Sequence, residues 1–247
     1  MTEAESNSSK AKHESEEPGV GVAGARSLSR SSSYPLLTIA IAKGRMQEAA
    51  LDLLARAGVR ASGNGRMSRR LTAEDETGRY RFIFVKPADV PVYVEHGIAD
   101  CGIVGQDVLL EREGDVLLPL DLRIARCQIV VAAERADLLT DDRGVLRVAT
   151  KYPEIARKHF GSSGIPVEII SLSGSVELAP VLGLANCIVD LMETGRTLQE
   201  NGLKVVEIVA DSSGRLVVNR ASYQLKAESI SALISTLDLI VNGSEKD

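Results

Sequence analysis

The segment closest to doing chemistry is Thr194-Gly195-Arg196-Thr197, which follows the apolar run Ile188-Val189 and the acid Asp190. The spacing predicts a buried strand over 186–191 and a helix over 194–201. The first N–H groups of a helix have no partner inside it and lie at the positive end of its dipole, so they attract phosphate. Gly195 lets the backbone come close to a ligand. Thr194 and Thr197 bring hydroxyl donors, and Asp190 is placed to accept hydrogen bonds from sugar hydroxyls. A strand ending in an acid, then Thr-Gly-x-Thr, then a helix suits a ribose 5-phosphate. Plain helix capping by threonine is the other reading of the same residues. The P-loop pattern Gly-x4-Gly-Lys-Ser/Thr is absent.

Lys43-Gly44-Arg45 is a second strand-to-helix turn, with two cations that either meet an anion or sit in water. Arg69 carries no signal by itself. Asp100, Gly102, Gly105 and Asp107 make a glycine-rich turn after a strand, able to hold a ligand or merely tight. Glu177, after Ser173-Gly174-Ser175, opens a helix, where a carboxylate is also ordinary capping chemistry. No Ser-His-Asp or Cys-His constellation is evident. The three histidines (His13, His96 and His159) have no zinc-ligand spacing. Cys101, Cys127 and Cys187 each lie in an apolar segment and read as buried reduced thiols of a cytosolic protein.

The elements that must position these groups alternate along the chain. Strands are expected at 36–42, 80–85, 101–104, 127–133, 146–149, 166–170, 186–191 and 205–209. Helices are expected at 46–57, 87–96, 153–160, 176–182, 194–201 and 227–241. The first helix shows its period in Met46, Ala49, Ala50, Leu53, Leu54 and Ala57, and Gly58 ends it. The segment 66–72 is polar, a loop or an edge strand. The fold class is α/β, with mostly parallel strands. One internal echo is present: Gly97-Ile98-Ala99-Asp100-Cys101 and Gly183-Leu184-Ala185-Asn186-Cys187. Either helix-to-strand turns simply look alike, or two lobes of similar topology present their loops to a shared cleft, where ligands of open α/β sheets bind.

Composition sets the remaining bounds. Aliphatic residues supply the core, since the chain has no Trp and only three Phe. A net charge of −5 gives no footing for a nucleic-acid or anionic-membrane partner, so cations for anionic substrates must be gathered locally. No run approaches the roughly 20 apolar residues of a membrane span. Residues 1–34 are Ser-rich, acidic and short of large apolar side chains. They read as a disordered tail without the apolar stretch of a signal peptide.

Taken together, Glu177-x5-Gly183-x-Ala185-x2-Ile188-x-Asp190-Leu191-x2-Thr194-Gly195-x-Thr197-Leu198 resembles the signature of the ATP phosphoribosyltransferase family. Lys43-Gly44-Arg45, Lys86-Pro87-Ala88-Asp89-Val90, Tyr93 to Asp100, and Ala149-Thr150-Lys151-Tyr152-Pro153 resemble further family segments in family order. Ala42 departs from the usual proline before Lys-Gly-Arg, and Asn186 from the usual Asp. The resemblance implies two lobes with mixed, mostly parallel sheets, similar to type II periplasmic binding proteins: residues 35–125 with 214–247 as lobe I, and 126–213 as lobe II. It implies transfer of a 5-phosphoribosyl group from phosphoribosyl pyrophosphate to N1 of ATP, the first step of histidine biosynthesis, in the cytoplasm.

Asp190, Glu193, Thr194, Gly195, Arg196 and Thr197 would hold phosphoribosyl pyrophosphate. Lys43, Arg45 and Arg69 would neutralise phosphate oxygens together with substrate-borne Mg²⁺, with no metal ligand from the chain. Asp89, Asp100, Asp107 and Glu177 would face ATP. Because the body ends soon after the 227–241 helix, the resemblance is to the short form, which implies a separate regulatory subunit similar to histidyl-tRNA synthetase. A solute-binding protein of the same architecture would leave the Thr-Gly-x-Thr turn unexplained. Other phosphoribosyltransferases commonly carry two adjacent acids before that turn, whereas Val189 precedes Asp190 here. A non-catalytic regulatory relative would not need Lys43, Arg45 and the full turn.

Overall fold

The computed structural model describes residues 36–62, 71–135 and 144–243. The reading of 1–34 as a disordered tail, and the role given to Arg69, lie outside the described residues.

Two mixed sheets carry the fold. The first runs β2 (Thr72–Glu74), β3 (Tyr80–Val85), β1 (Leu37–Ala42), β4 (Cys101–Gly105), β11 (Gly214–Val218), β5 (Leu117–Asp121). The second runs β10 (Lys204–Ser212), β6 (Cys127–Ala133), β9 (Cys187–Met192), β7 (Leu146–Thr150), β8 (Val167–Ser171). The central aliphatic runs form strands because both faces are covered: all of Ile39–Ala42 and Ile129–Ala133 are buried. Parallel pairing is confined to β3-β1-β4 and β8-β7-β9, and the other neighbouring pairs are antiparallel. The antiparallel share is larger than strand–helix alternation predicts. Apart from the β2–β3 hairpin, it comes from the strands that carry the chain between the sheets, which join without a helical crossover.

Helix α1 (Arg45–Arg56) buries Met46, Ala50, Leu51, Leu53 and Leu54 against the first sheet. The expected helix over 87–96 is split. A 3-10 turn covers Pro87–Asp89 and α2 covers Val90–Glu95, because Pro91 has no N–H to continue a ladder from the preceding turn. Helices α3 (Gln106–Glu111), α4 (Pro153–Ser162), α5 (Leu178–Val181), α6 (Arg196–Glu200), α7 (Arg220–Leu225) and α8 (Ala227–Gly243) complete the described body. Ile230, Leu233 and Leu237 of α8, at helical spacing, fill the first core. The strands β5 and β11 and the helices α3 and α7 were not foreseen. β5 contains Pro119, which suits an edge strand and masks the pattern. No helix among the described residues is long and apolar enough to cross a membrane.

The internal echo is structural. β1-α1-β3-α2-β4 and β7-α4-β8-α5-β9 follow one order and one pairing, with Cys101 and Cys187 each opening the strand that borders the antiparallel half. The match reaches single hydrogen bonds. Thr38 N donates to Asp100 Oδ2 at 2.8 Å and Asp100 N to Thr38 O at 2.9 Å. Arg147 N donates to Asn186 Oδ1 and Asn186 N to Arg147 O, both at 2.8 Å. Asn186 therefore keeps the acceptor that an aspartate would offer. The backbone passes between the sheets twice, at 122–126 and at Ser213. The two passes are bonded to each other through Leu122 N to Gly214 O and Gly214 N to Ile124 O. Arg123 and Ala125 adopt positive φ of 53° and 47° in the first pass, an uncommon state for residues with a Cβ.

Candidate active site

The carboxyl ends of strands from both sheets line one cleft of about 520 Å³. Lys43 directly follows β1, Lys86 follows β3 and Lys151 follows β7, and all three border the cleft with Arg45 and Arg112. Lys43 N donates to Val85 O at 2.8 Å, which fixes the first two lysines side by side. Gly44 has φ 90°, a backbone state that a side chain would strain, and it starts α1 with no side-chain cap. Cations are thus gathered locally in a chain of net charge −5.

A second cavity of about 340 Å³ adjoins the first, lined by Arg45 and by Glu177, Asp190 and the turn from Glu193 to Thr197. Arg45 joins the two sheets: its Nη1 is 3.1 Å from Glu193 Oε2 and its Nη2 is 3.2 Å from Cys127 Sγ. The ion pair is partly exposed and contributes only about 0–1 kcal/mol, so breaking it costs little.

The helix after this turn begins two residues later than the spacing predicts, at Arg196, because Thr194-Gly195 form the turn itself. Gly195 is left-handed at φ 74° and stands as N-cap, with no side-chain capping bond. Neither threonine hydroxyl bonds to another described residue, so threonine capping is not what these residues do here. α6 has five residues, so its dipole is weak and the free hydroxyls and amides are the relevant donors. Asp190 is held above the usual carboxylate range by burial first and then by the nearby Glu177 charge. The Leu191 N–H and Lys151 pull it back in part.

Several expected site residues lie elsewhere. Asp100 precedes β4 rather than following it, at the strand end away from the cleft. It is 5% exposed and spends its oxygens on Thr38 N, Ser222 Oγ and Lys226 Nζ. It is a structural tie, which corrects its assignment to ATP. Asp89 is exposed in the 3-10 turn and borders neither cavity, although its neighbours Pro87 and Ala88 line the cleft. Glu177 faces Asp190 in the smaller cavity, apart from Asp107 in the larger one. The Arg196 side chain turns along its helix to Glu200 at 2.7 Å, so this residue reaches the cavity through its backbone turn.

Asp107 does line the cleft, but its carboxylate accepts from Ser212 Oγ at 3.0 Å and from Tyr152 Oη at 3.3 Å. Burial and the Asp107 charge push the Tyr152 phenol far up, so it stays protonated and donates. Ser212 Oγ also accepts from Asp107 N, closing the start of α3. Glu111 accepts from Glu154 N and Ile155 N at 3.1 Å, closing the start of α4.

Lys86, Arg112, Lys151, Glu111 and Tyr152 were not singled out from sequence. The available signal was position: Lys86 and Lys151 occupy the same place after a strand as Lys43.

Comparison with known proteins gives this geometry its family. The family model described as HisG: ATP phosphoribosyltransferase matches residues 86–239. The ATP phosphoribosyltransferase of Sorangium cellulosum is 47% identical over 208 residues, covering 84% of this chain and 97% of its own length. The ATP phosphoribosyl transferase (HisG:HisZ) complex from Thermotoga maritima superposes with TM-score 0.70 at 34% identity, covering 84% of this chain and 100% of that one. The BvgS VFT2 domain of Bordetella pertussis shares the fold alone, with TM-score 0.50 at 14% identity over 84% of this chain and 92% of its own. This is the periplasmic-binding-protein-like architecture that the two repeated sheets build. With matches of this length and identity, the chain belongs to the ATP phosphoribosyltransferase family.

Proposed function

We propose that the chain transfers the 5-phosphoribosyl group to N1 of ATP within these joined cavities, with the two sheets holding one substrate each. The reaction displaces pyrophosphate from C1 of phosphoribosyl pyrophosphate with inversion and opens histidine biosynthesis. Adenine N1 already carries its lone pair, so the chemistry needs no strong general base. Its barrier falls by holding two anions in line and by stabilising the departing pyrophosphate.

In this reading the turn from Glu193 to Thr197 holds the 5-phosphate through its amides and the Thr194 and Thr197 hydroxyls, and Asp190 accepts from the ribose hydroxyls. Lys43 and Arg45 face the pyrophosphate from the first sheet, and Arg69 is assigned a share in neutralising it. The observation that carries it is the meeting of Arg45 with the free-hydroxyl turn at Glu193. Asp107 remains on the ATP side of the cleft. Mg²⁺, when bound, would supply charge neutralisation to the substrate phosphates. Asp107 and Glu111 are both already engaged by hydrogen bonds, which suits a metal that keeps its waters and its phosphate oxygens.

The lobes divide at the two passes, into 35–125 with 214–247 and 126–213. The enzyme works in the cytoplasm, beside a regulatory subunit similar to histidyl-tRNA synthetase. The Thermotoga complex with HisZ supports that partnership. The test is an assay for phosphoribosyl-ATP with and without such a subunit from the same organism. Product is expected, and Arg69→Ala should lower its rate at least about tenfold with the fold intact. Absence of product under both conditions overturns the reading.

A further inference from the structure

We infer that Glu111 latches the two halves of the molecule together beside the larger cleft and is a positioning residue for the transfer, an inference that rests on the cleft being the transferase site. Helix α3, which ends at Glu111, follows β4 of the first sheet, and α4 follows β7 of the second. The start of α4 has no cap of its own. Tyr152 at the N-cap makes no capping bond and Pro153 has no N–H. Ala156 N is bonded within the helix, to Tyr152 O at 3.0 Å. That leaves the Glu154 and Ile155 amides, and both donate to the Glu111 carboxylate at 3.1 Å. The second half therefore completes its helix with a side chain from the first.

Two further bonds follow the same seam. Tyr152 Oη donates to Asp107 Oδ2 at 3.3 Å, and Lys158 Nζ donates to Glu113 Oε1 at 2.8 Å. Arg45 makes a separate tie between the halves, to Glu193 and Cys127. The larger cleft is lined by Arg45 and by Asp107, Glu111 and Tyr152, so both ties border it. Amides at a helix start carry partial positive charge, so a carboxylate bonded to two of them holds more firmly than the exposed Arg45–Glu193 pair. With one substrate on each sheet, the spacing between the attacking nitrogen and C1 is set by how the halves are held. In-line displacement slows steeply when its partners are misplaced by about 1 Å.

The experiment measures the single-turnover rate of phosphoribosyl-ATP formation by rapid quench, with the full chain, the regulatory subunit and both substrates saturating. Calorimetry gives the affinity for each substrate alone, and thermal melts confirm that each variant is folded. Glu111→Ala should lower the rate about tenfold while each substrate alone binds within about threefold of wild type. Glu111→Gln keeps an acceptor and should recover most of the rate. Lys158 and Glu113 are 60% and 86% exposed and line neither cavity, so they test the seam apart from any ligand contact. Lys158→Glu sets two carboxylates against each other and should lower the rate about threefold, and adding Glu113→Lys should restore it. A lower melting temperature with a wild-type rate in Glu111→Ala makes Glu111 a helix cap alone and overturns the inference. Weaker binding of one substrate with an unchanged saturated rate makes it a ligand contact and overturns it equally. A wild-type rate in Lys158→Glu also overturns it, and decides the matter if Glu111→Ala does not fold. These outcomes sink this inference alone, whereas a wild type that makes no product sinks the transferase reading beneath it.

Discussion

The two sheets are copies in topology that part in chemistry at their third strands, although Lys43 and Lys151 stand at matching places after β1 and β7. Both run strand, helix, strand, helix, strand with the same pairing, and both fasten their third strand through an Asp or Asn side chain to the backbone of the first. Their carboxyl ends differ. The first sheet ends in Lys43, Arg45 and Lys86, while the third strand of the second ends in Asp190 and two free threonine hydroxyls. The scaffold therefore fixes where a ligand lies, and the two or three residues after each strand decide which ligand it is.

The comparison breaks first, and most visibly, at its shared fastener. Asp100→Ala removes an acceptor shared by Thr38, Ser222 and Lys226 and leaves a lysine unpaired, so it should cost about 3 kcal/mol and lower the melting temperature by roughly 10 °C, read by calorimetry. The equivalent Asn186→Ala, with one backbone partner and more solvent, should cost about 1 kcal/mol. Equal losses would mean that the Ser222 and Lys226 bonds to Asp100 add nothing to the backbone fastener that the two sheets share. A smaller effect is expected at the chemical difference. Thr194→Val with Thr197→Val should weaken phosphoribosyl pyrophosphate at least about tenfold, because a hydrogen bond to a charged group is worth about 1.5 kcal/mol or more. ATP affinity should hold, and a loss on the ATP side instead would erase the division of labour.

The smallest effect is one of stability. The folded state holds Asp190 above the ordinary carboxylate range, so its ionisation disfavours the fold as pH rises through that range. Asp190→Asn keeps the acceptor for the Leu191 N–H and should raise the melting temperature slightly at pH 7, with the gain vanishing at pH values below the ordinary carboxylate range. The same change should weaken phosphoribosyl pyrophosphate. A melting temperature that falls at pH 7 would show that the Asp190 charge supports the fold.

Much of this was legible in the sequence, for stated reasons. Continuous aliphatic runs located β1, β6 and β9 within a residue or so, because buried strands leave little polar alternation to misread. The start of α6 was misplaced because threonine looks like a cap until its hydroxyl is seen to be free. Asp100 was misassigned because an acid before a strand and an acid after one have similar neighbours, and only the strand direction separates them. The internal echo held the correction: Asp100 aligns with Asn186, and it is Asp190, four residues on, that reaches the cleft. Arg112 and Glu111 had no sequence signal, since α3 was not foreseen.

The carboxylate of Glu111 on the first amides of α4 has one more effect. A duplicated scaffold repeats its helix starts, at α1 and at α4, and again at α3 and α6. Here each half closes one of its two starts with a side chain: α1 and α6 stay uncapped by side chains, while Glu111 closes α4 and Ser212 closes α3. The duplication is thereby made directional, because the open starts fall at different positions of the repeat in the two halves.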